Sequence, residues 1–114
     1  MPAKKLTISR RARNDLDAIY ARLRTVSDQQ TAGRFLARLN KHIERIAQLG
    51  HSGVPRGSIN PGLRLAVHGA YNIYFRVTPT RTVIARVVHS ARDVRRFSFH
   101  EDPAPAMGSN PAGW

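Results

Sequence analysis

The chain has no cysteine, which excludes disulfide staples, thiolate zinc sites and thiol nucleophiles together. That absence fits a reducing compartment, and a cytoplasmic location is the expectation. Acidic residues are scarce, with seven Asp plus Glu among 114 residues, too few to suggest a paired-carboxylate hydrolase. No apolar run reaches the roughly eighteen residues a membrane-spanning helix requires. The start, MPAKKLTIS, follows its two lysines with too few apolar residues for a signal-peptide core. Neither GxGxxG nor GxxxxGK[ST] occurs, so the nucleotide-binding fingerprints are missing. His42, His51, His68, His89 and His100 show no HExxH spacing and have no cysteine beside them. No metal and no cofactor is therefore expected.

What the chain has is positive charge. Nineteen Lys plus Arg against seven Asp plus Glu give a formal charge of +12. Residues 1–50 hold eleven basic and four acidic groups, and residues 51–100 hold eight basic and one acidic. The charge is thus spread through the body of the chain, while Glu101 and Asp102 near the end oppose it. A field of this sign and size suits nucleic acid or an acidic protein partner.

The length and the 41% hydrophobic content correspond to one small domain with one modest core. Residues 5–9, KLTIS, alternate as a short strand. Ser9 stands at an N-cap position ahead of Ala12, Leu16, Ile19, Tyr20 and Leu23, whose spacing predicts a helix over 10–25. Asp15 and Asp17 suit the positive end of its dipole. Asp28 can cap a second helix over 29–49, carrying Ala32, Phe35, Leu36, Leu39, Ile43, Ile46 and Ala47 on one face, with Gly50 as its stop. The short connection makes the pair an antiparallel hairpin. The segment 50–62, with four glycines and two prolines, reads as a loop. After it come three strands: Leu63 to His68, Tyr71 to Val77, and the run TVIARVVH ending at His89. Tight turns at Gly69 and Pro79 make them an antiparallel meander, and the helix hairpin is expected to cover one face of it. The Arg92–Asp93 pair can tie the strand exit to the fold. The domain is assigned to residues 1–100, and residues 101–114, ending in the sole tryptophan Trp114, read as a flexible tail.

Arg64, Arg76 and Arg86 each lie on a strand of this meander and are expected to share the open sheet surface, with Arg56 and Arg81 added from the loops. Guanidinium groups so arranged engage phosphates bidentately. Tyr71 and Tyr74 fall on opposite faces, leaving one of them as a stacking platform. His89 is the residue suited to proton transfer, since arginine neighbours favour its neutral form. Metal-independent RNA cleavage needs a base, positive charge for the developing phosphorane and an acid. His89 with Arg64, Arg76 and Arg92 can supply part of that set. A hydrogen-bonding, purely structural His89 is the competing reading.

The order and spacing of several short motifs resemble the ParE branch of the RelE/ParE toxin superfamily, whose members are also known as plasmid stabilization proteins. They are A-x-x-D-L-x-x-I (Ala12, Asp15, Leu16, Ile19), P-G-L-R (Pro61 to Arg64), G-x-Y-x-I (Gly69, Tyr71, Ile73) and V-x-H-x-A-R-D (Val87, His89, Ala91, Arg92, Asp93). The resemblance covers residues 5–93. It implies an α+β fold of β-α-α-β-β-β order, an N-terminal strand and a two-helix hairpin packed on a small twisted antiparallel sheet. It also implies the toxin half of a bacterial type II toxin–antitoxin pair, held in a hetero-oligomer by a ParD-like antitoxin. The target it implies is DNA gyrase.

The RelE branch instead cuts mRNA in the ribosomal A site, using lysines and arginines on the sheet and a tyrosine near the C-terminus. Here the strand half has no lysine, and after Tyr74 only Phe97 and Phe99 stand where that tyrosine belongs. These departures favour the gyrase-directed branch. His89 with Arg64 echoes a histidine-using variant of the nuclease sites, so a ribosome-dependent endoribonuclease is the alternative. A non-catalytic basic interaction module is a further one. Arg34 and Arg38 on the second helix, with Arg56, Arg81 and Arg86, form the candidate basic interaction surface.

Overall fold

The computed structural model describes residues 5–49, 52–92 and 94. The expected helix stop at Gly50, the pairing of Arg92 with Asp93 and the tail at 101–114 with Trp114 lie outside the described residues. The elements run β1 (Lys5–Ile8), α1 (Arg10–Val26), α2 (Gln29–Leu49), β2 (Val54–Pro55), β3 (Arg64–His68), β4 (Tyr71–Val77) and β5 (Arg81–His89). Among the described residues no helix is long and apolar enough to cross a membrane.

Both helix starts are fixed by the residues that predict them. The Ser9 hydroxyl accepts from the Ala12 amide at 3.0 Å, satisfying a donor that the first turn leaves without a partner. Asp28 Oδ1 does the same for Thr31 at 2.7 Å. That bond holds the Asp28 carboxyl below its ordinary range. Between them the Ser27 amide closes α1 onto the Leu23 carbonyl at 2.9 Å, and the chain folds back at once.

The sheet order is β1-β5-β4-β3-β2. The β3-β4-β5 meander is antiparallel as expected. β1, however, joins the far edge of β5 in parallel, Leu6 opposite Thr82, so the five-stranded sheet is mixed. The pairing brings the two ends of the domain together, which no local turn signal encodes. The segment read as a loop also contains β2, where Val54 and Pro55 pair with Leu65 and Arg64. Proline is tolerated there because β2 is an edge. Gly53 precedes it at φ +75°, and a Cβ at that position would lie 2.6 Å from the Leu65 carbonyl oxygen. Only glycine lets the backbone approach so closely.

The hairpin lays Ala12, Leu16, Ile19, Leu39, Ile43 and Ile46 on Tyr71, Ile73, Phe75, Ile84 and Val87 of the sheet. The opposite face is covered too. Leu63, Leu65, Tyr74, Ala85 and Val88 form a second buried cluster, with Ile59 and Val94 packed on it. That finding corrects the expectation of an open, arginine-lined outer face. It also explains why both Tyr71 and Tyr74 are buried: they do point to opposite faces, but each face has its own apolar cluster, and neither ring is left as a stacking platform.

Candidate functional site

The register of β4 on β5 slips between Tyr74 and Phe75, which face Arg86 and Ile84, leaving Ala85 as the extra residue of a β-bulge. The start of α1 is clipped onto this bulge. The buried Ser9 hydroxyl donates to the Ala85 carbonyl at 2.9 Å, and the Ser9 amide donates to Ile84 at 3.0 Å. Two turns along, Asp15 accepts from Arg86 Nε at 2.8 Å and Nη2 at 2.9 Å, a bidentate pair. The same carboxylate accepts from the Val87 amide at 2.9 Å. With side-chain exposures of 15% and 14%, the pair is mostly desolvated. Asp15 is therefore a tie between helix and sheet, not a partner of the helix dipole. Arg86 is turned to α1 by the bulge and is not part of an open sheet surface.

Arg64 and Arg76 are also separated. Directly paired residues of an antiparallel ladder share a face. Arg64 lies opposite Phe75, on the helix side, whereas Arg76 follows Phe75 on β4 and so points to the other side. Arg64 Nε donates to the Ser52 carbonyl at 2.7 Å and its Nη2 to Gly53 at 3.3 Å. Arg76 Nε donates to the Pro61 carbonyl at 3.1 Å, and its Nη2 donates to Asn60 Oδ1. Burial lowers the Arg76 pKa from its ordinary value. The two arginines thus brace the connection at 52–62 from both faces. This gives the P-G-L-R and preceding residues a structural reason.

His89 sits at the other end of the meander, opposite Tyr71. From there to Phe75, the partner of Arg64, is four residues along β4, roughly 13 Å at the rise of a strand. The set His89, Arg64 and Arg76 is accordingly not assembled at one point. Arg92 does accompany His89: both line a cleft of about 340 Å³ with Asp15, Ile19, Arg22 and Tyr71. His89 is exposed, meets the Tyr71 ring edge-on at 5.5 Å, and accepts from the Ala91 amide through Nδ1 at 3.1 Å. An accepting Nδ1 places the proton of the neutral ring on Nε2.

The remaining arginines of the candidate surface are dispersed. Arg34 and Arg38 are exposed on α2, Arg56 is half-buried in the turn after β2, and Arg81 opens β5 at the end away from His89. The feature that sequence reasoning misses is the role of Asp15. A helical projection does carry the signal: Asp15 falls on the rim of the stripe made by Ala12, Leu16 and Ile19, while Asp17 falls on the solvent side.

The family model for the ParE toxin of the type II toxin–antitoxin system, parDE, matches residues 6–94. Toxin ParE1 of Caulobacter vibrioides is 32% identical over 96 residues, covering 81% of this chain and 95% of that protein. A solved structure, described as the chromosomal ParDE TA system from P. aeruginosa, superposes with a TM-score of 0.68 at 25% identity, covering 76% of this chain and 96% of the other. The motif residues Ala12, Asp15, Leu16 and Ile19 hold the fold of that family together through the contacts described above, and the match spans every helix and strand but the first residue of β1. The chain belongs to the ParE toxin family of type II toxin–antitoxin systems.

Proposed function

We propose that this toxin acts in the cytoplasm by inhibiting DNA gyrase and is neutralised by a ParD-type antitoxin. The observation that carries the reading is the family match over residues 6–94, joined by a relative and a solved neighbour that both bear ParE or ParDE names. The separation of His89 from Arg64 and Arg76 supports it further. An A-site nuclease must bring base, acid and phosphate clamp to within hydrogen-bond reach of one scissile phosphate, and here two of the three arginines instead hold the chain's own carbonyls.

The test runs both reactions side by side with the purified full chain. Inhibition of negative supercoiling, or trapping of gyrase-cleaved DNA, is expected, with programmed ribosomes leaving mRNA intact. Codon-dependent mRNA cleavage with unaffected supercoiling overturns the gyrase reading. In that event His89→Ala should reduce cleavage by about 10²-fold, the scale of losing a general base.

A further inference from the structure

The outer surface of α2 carries a cationic ridge. Arg34, Arg38, Lys41 and Arg45 recur at four, three and four residues, and all four are exposed. At 100° per residue they fall within an arc of roughly 60°, and they span roughly 16 Å of helix axis. Neighbouring members of the row are like charges at i+3 or i+4, which repel and weaken the helix that bears them. Helix formation gains nothing from this arrangement, so the spacing points to an external ligand.

Among the described residues no carboxylate is paired with the ridge: none makes a salt bridge to any of the four. Asp28 is near Arg34 but is engaged in capping Thr31. Glu44, the only acidic residue of α2, follows Lys41 by three residues but forms no salt bridge with it, and it projects about a quarter-turn from the centre of the row.

The surroundings decide what kind of anion fits. The exposed positions beside the ridge are Gln30, Ala37, Glu44 and Gln48. The large apolar side chain nearest to it, Leu49, stands 63% exposed beyond Arg45 at the end of the helix, so no apolar anchor lies within the row itself. A partner protein helix needs an apolar anchor as well as complementary charge. A polyanion does not, since release of its counterions supplies the binding free energy. Three of the four cations are arginines, whose planar fork matches phosphate oxygens. We infer that the α2 ridge is a binding surface for the phosphodiester backbone of nucleic acid, engaging successive phosphates without reading base sequence. The inference goes beyond the gyrase reading and does not depend on it, because binding is measurable with no gyrase present.

The experiment is fluorescence anisotropy of the full chain on a labelled duplex DNA of mixed sequence and on a single-stranded RNA of equal length, across a salt series. Engagement of four phosphates gives a slope of log K against log salt of about −3.6 on duplex DNA and about −2.8 on the single strand. The two arms thereby identify which backbone the ridge prefers. The quadruple variant Arg34→Gln, Arg38→Gln, Lys41→Gln, Arg45→Gln should flatten that slope by about three and weaken binding at least 30-fold at low salt. A comparison variant, Lys5→Gln, Arg10→Gln, Arg11→Gln, Arg24→Gln, removes the same charge from other exposed positions and should lose less than a third as much on a logarithmic scale. Thermal melting by circular dichroism checks that both variants fold; removing the repulsions should leave the ridge variant at least as stable as the parent. Equal losses in the two variants would show a response to net charge alone and overturn the inference. So would absence of binding to either nucleic acid, or displacement of the DNA by poly-glutamate at equal charge concentration, which would assign the ridge to an acidic protein.

Discussion

Asp15 serves three donors with two oxygens, and its neighbours explain why the substitution pattern around it should be asymmetric. Asp15→Ala removes the bidentate carboxylate from a mostly desolvated guanidinium and the acceptor of the Val87 amide. The expected loss is about 3 kcal/mol, the scale of breaking a buried ion pair from one side. Arg86→Met should cost less, about 1 kcal/mol, because the carboxylate keeps the Val87 amide. The double variant should then be more stable than the sum of the two losses predicts, by about 1 kcal/mol or more, since neither charge is stranded. Urea midpoints for the four proteins measure that coupling. Strict additivity would mean that Asp15 and Arg86 do not act as a pair.

At the scale of elements, the helices are legible and the sheet only partly so. Ser9 and Asp28 mark both helix starts because capping is a local reaction between a side chain and amides three residues on. The apolar spacing gives α1 and α2 nearly to the residue. The bulge is harder to read. Ile84 and Val87 both face the helices, an odd spacing that regular alternation forbids, and the run IARVV carries this break in plain view. The continuous apolar run Ile73-Tyr74-Phe75 likewise signals a strand buried on both faces, yet single-face burial is the simpler reading of a small sheet. Parallel pairing of β1 with β5 depends on residues far apart in the chain. No local signal reports it. The arginine cluster fails for the same reason: shared strand membership places Arg64, Arg76 and Arg86 near one another, but the face each one takes depends on register and on the bulge.

The seam between α2 and β3 adds a pH dependence at this scale. His42 Nδ1 and His68 Nδ1 lie 2.9 Å apart, so one ring must donate and the other must accept unprotonated. The His68 ring also meets Phe35 edge-on at 5.5 Å. The His42 pKa is lowered from its ordinary 6.5, first by burial and then by His68 and Arg45. A base with a depressed folded pKa binds fewer protons folded than unfolded below that ordinary value. Its contribution is therefore complete above about pH 6.5 and is lost as pH falls through the folded value. Stability should decline on mild acidification, and His42→Gln should flatten the decline in that window. The Asp28 cap acts separately and lower, since its depressed carboxyl pKa removes its contribution only as pH falls below the ordinary aspartate range. Denaturation midpoints between pH 8 and pH 3 resolve the two; an unchanged slope near pH 6 in the His42 variant would remove the histidine pair from the account.

The whole molecule combines a field of +12 with a sheet whose two faces are both occupied. Among the described residues the sheet ends in two edge strands, β1 and β2, and its exposed large apolar side chains lie at the β2 end. Strand β2 covers only Arg64 and Leu65 of β3, so among the described residues Ala66 to His68 border no further strand on that side. Val54 and Val67 are 50% and 59% exposed and share the face of Leu65, one across the ladder from it and one two residues along. An antitoxin segment with alternating apolar and acidic residues can add here as a strand, seating its apolar side chains on the two valines while the field draws in its charges. Steering acts on approach and apolar burial acts on residence, which makes the two contributions separable. Val67→Asn should leave the association rate with the cognate antitoxin nearly unchanged and raise the dissociation rate about tenfold, the equivalent of roughly 1.5 kcal/mol for losing one buried valine. Raising salt should do the reverse, slowing association steeply with a smaller effect on release. Stopped-flow binding of parent and variant at two salt concentrations measures all four rates. A Val67 variant that dissociates at the parental rate would place the antitoxin elsewhere on the toxin, and amide shifts over 64–68 that stay unmoved on binding would say the same independently.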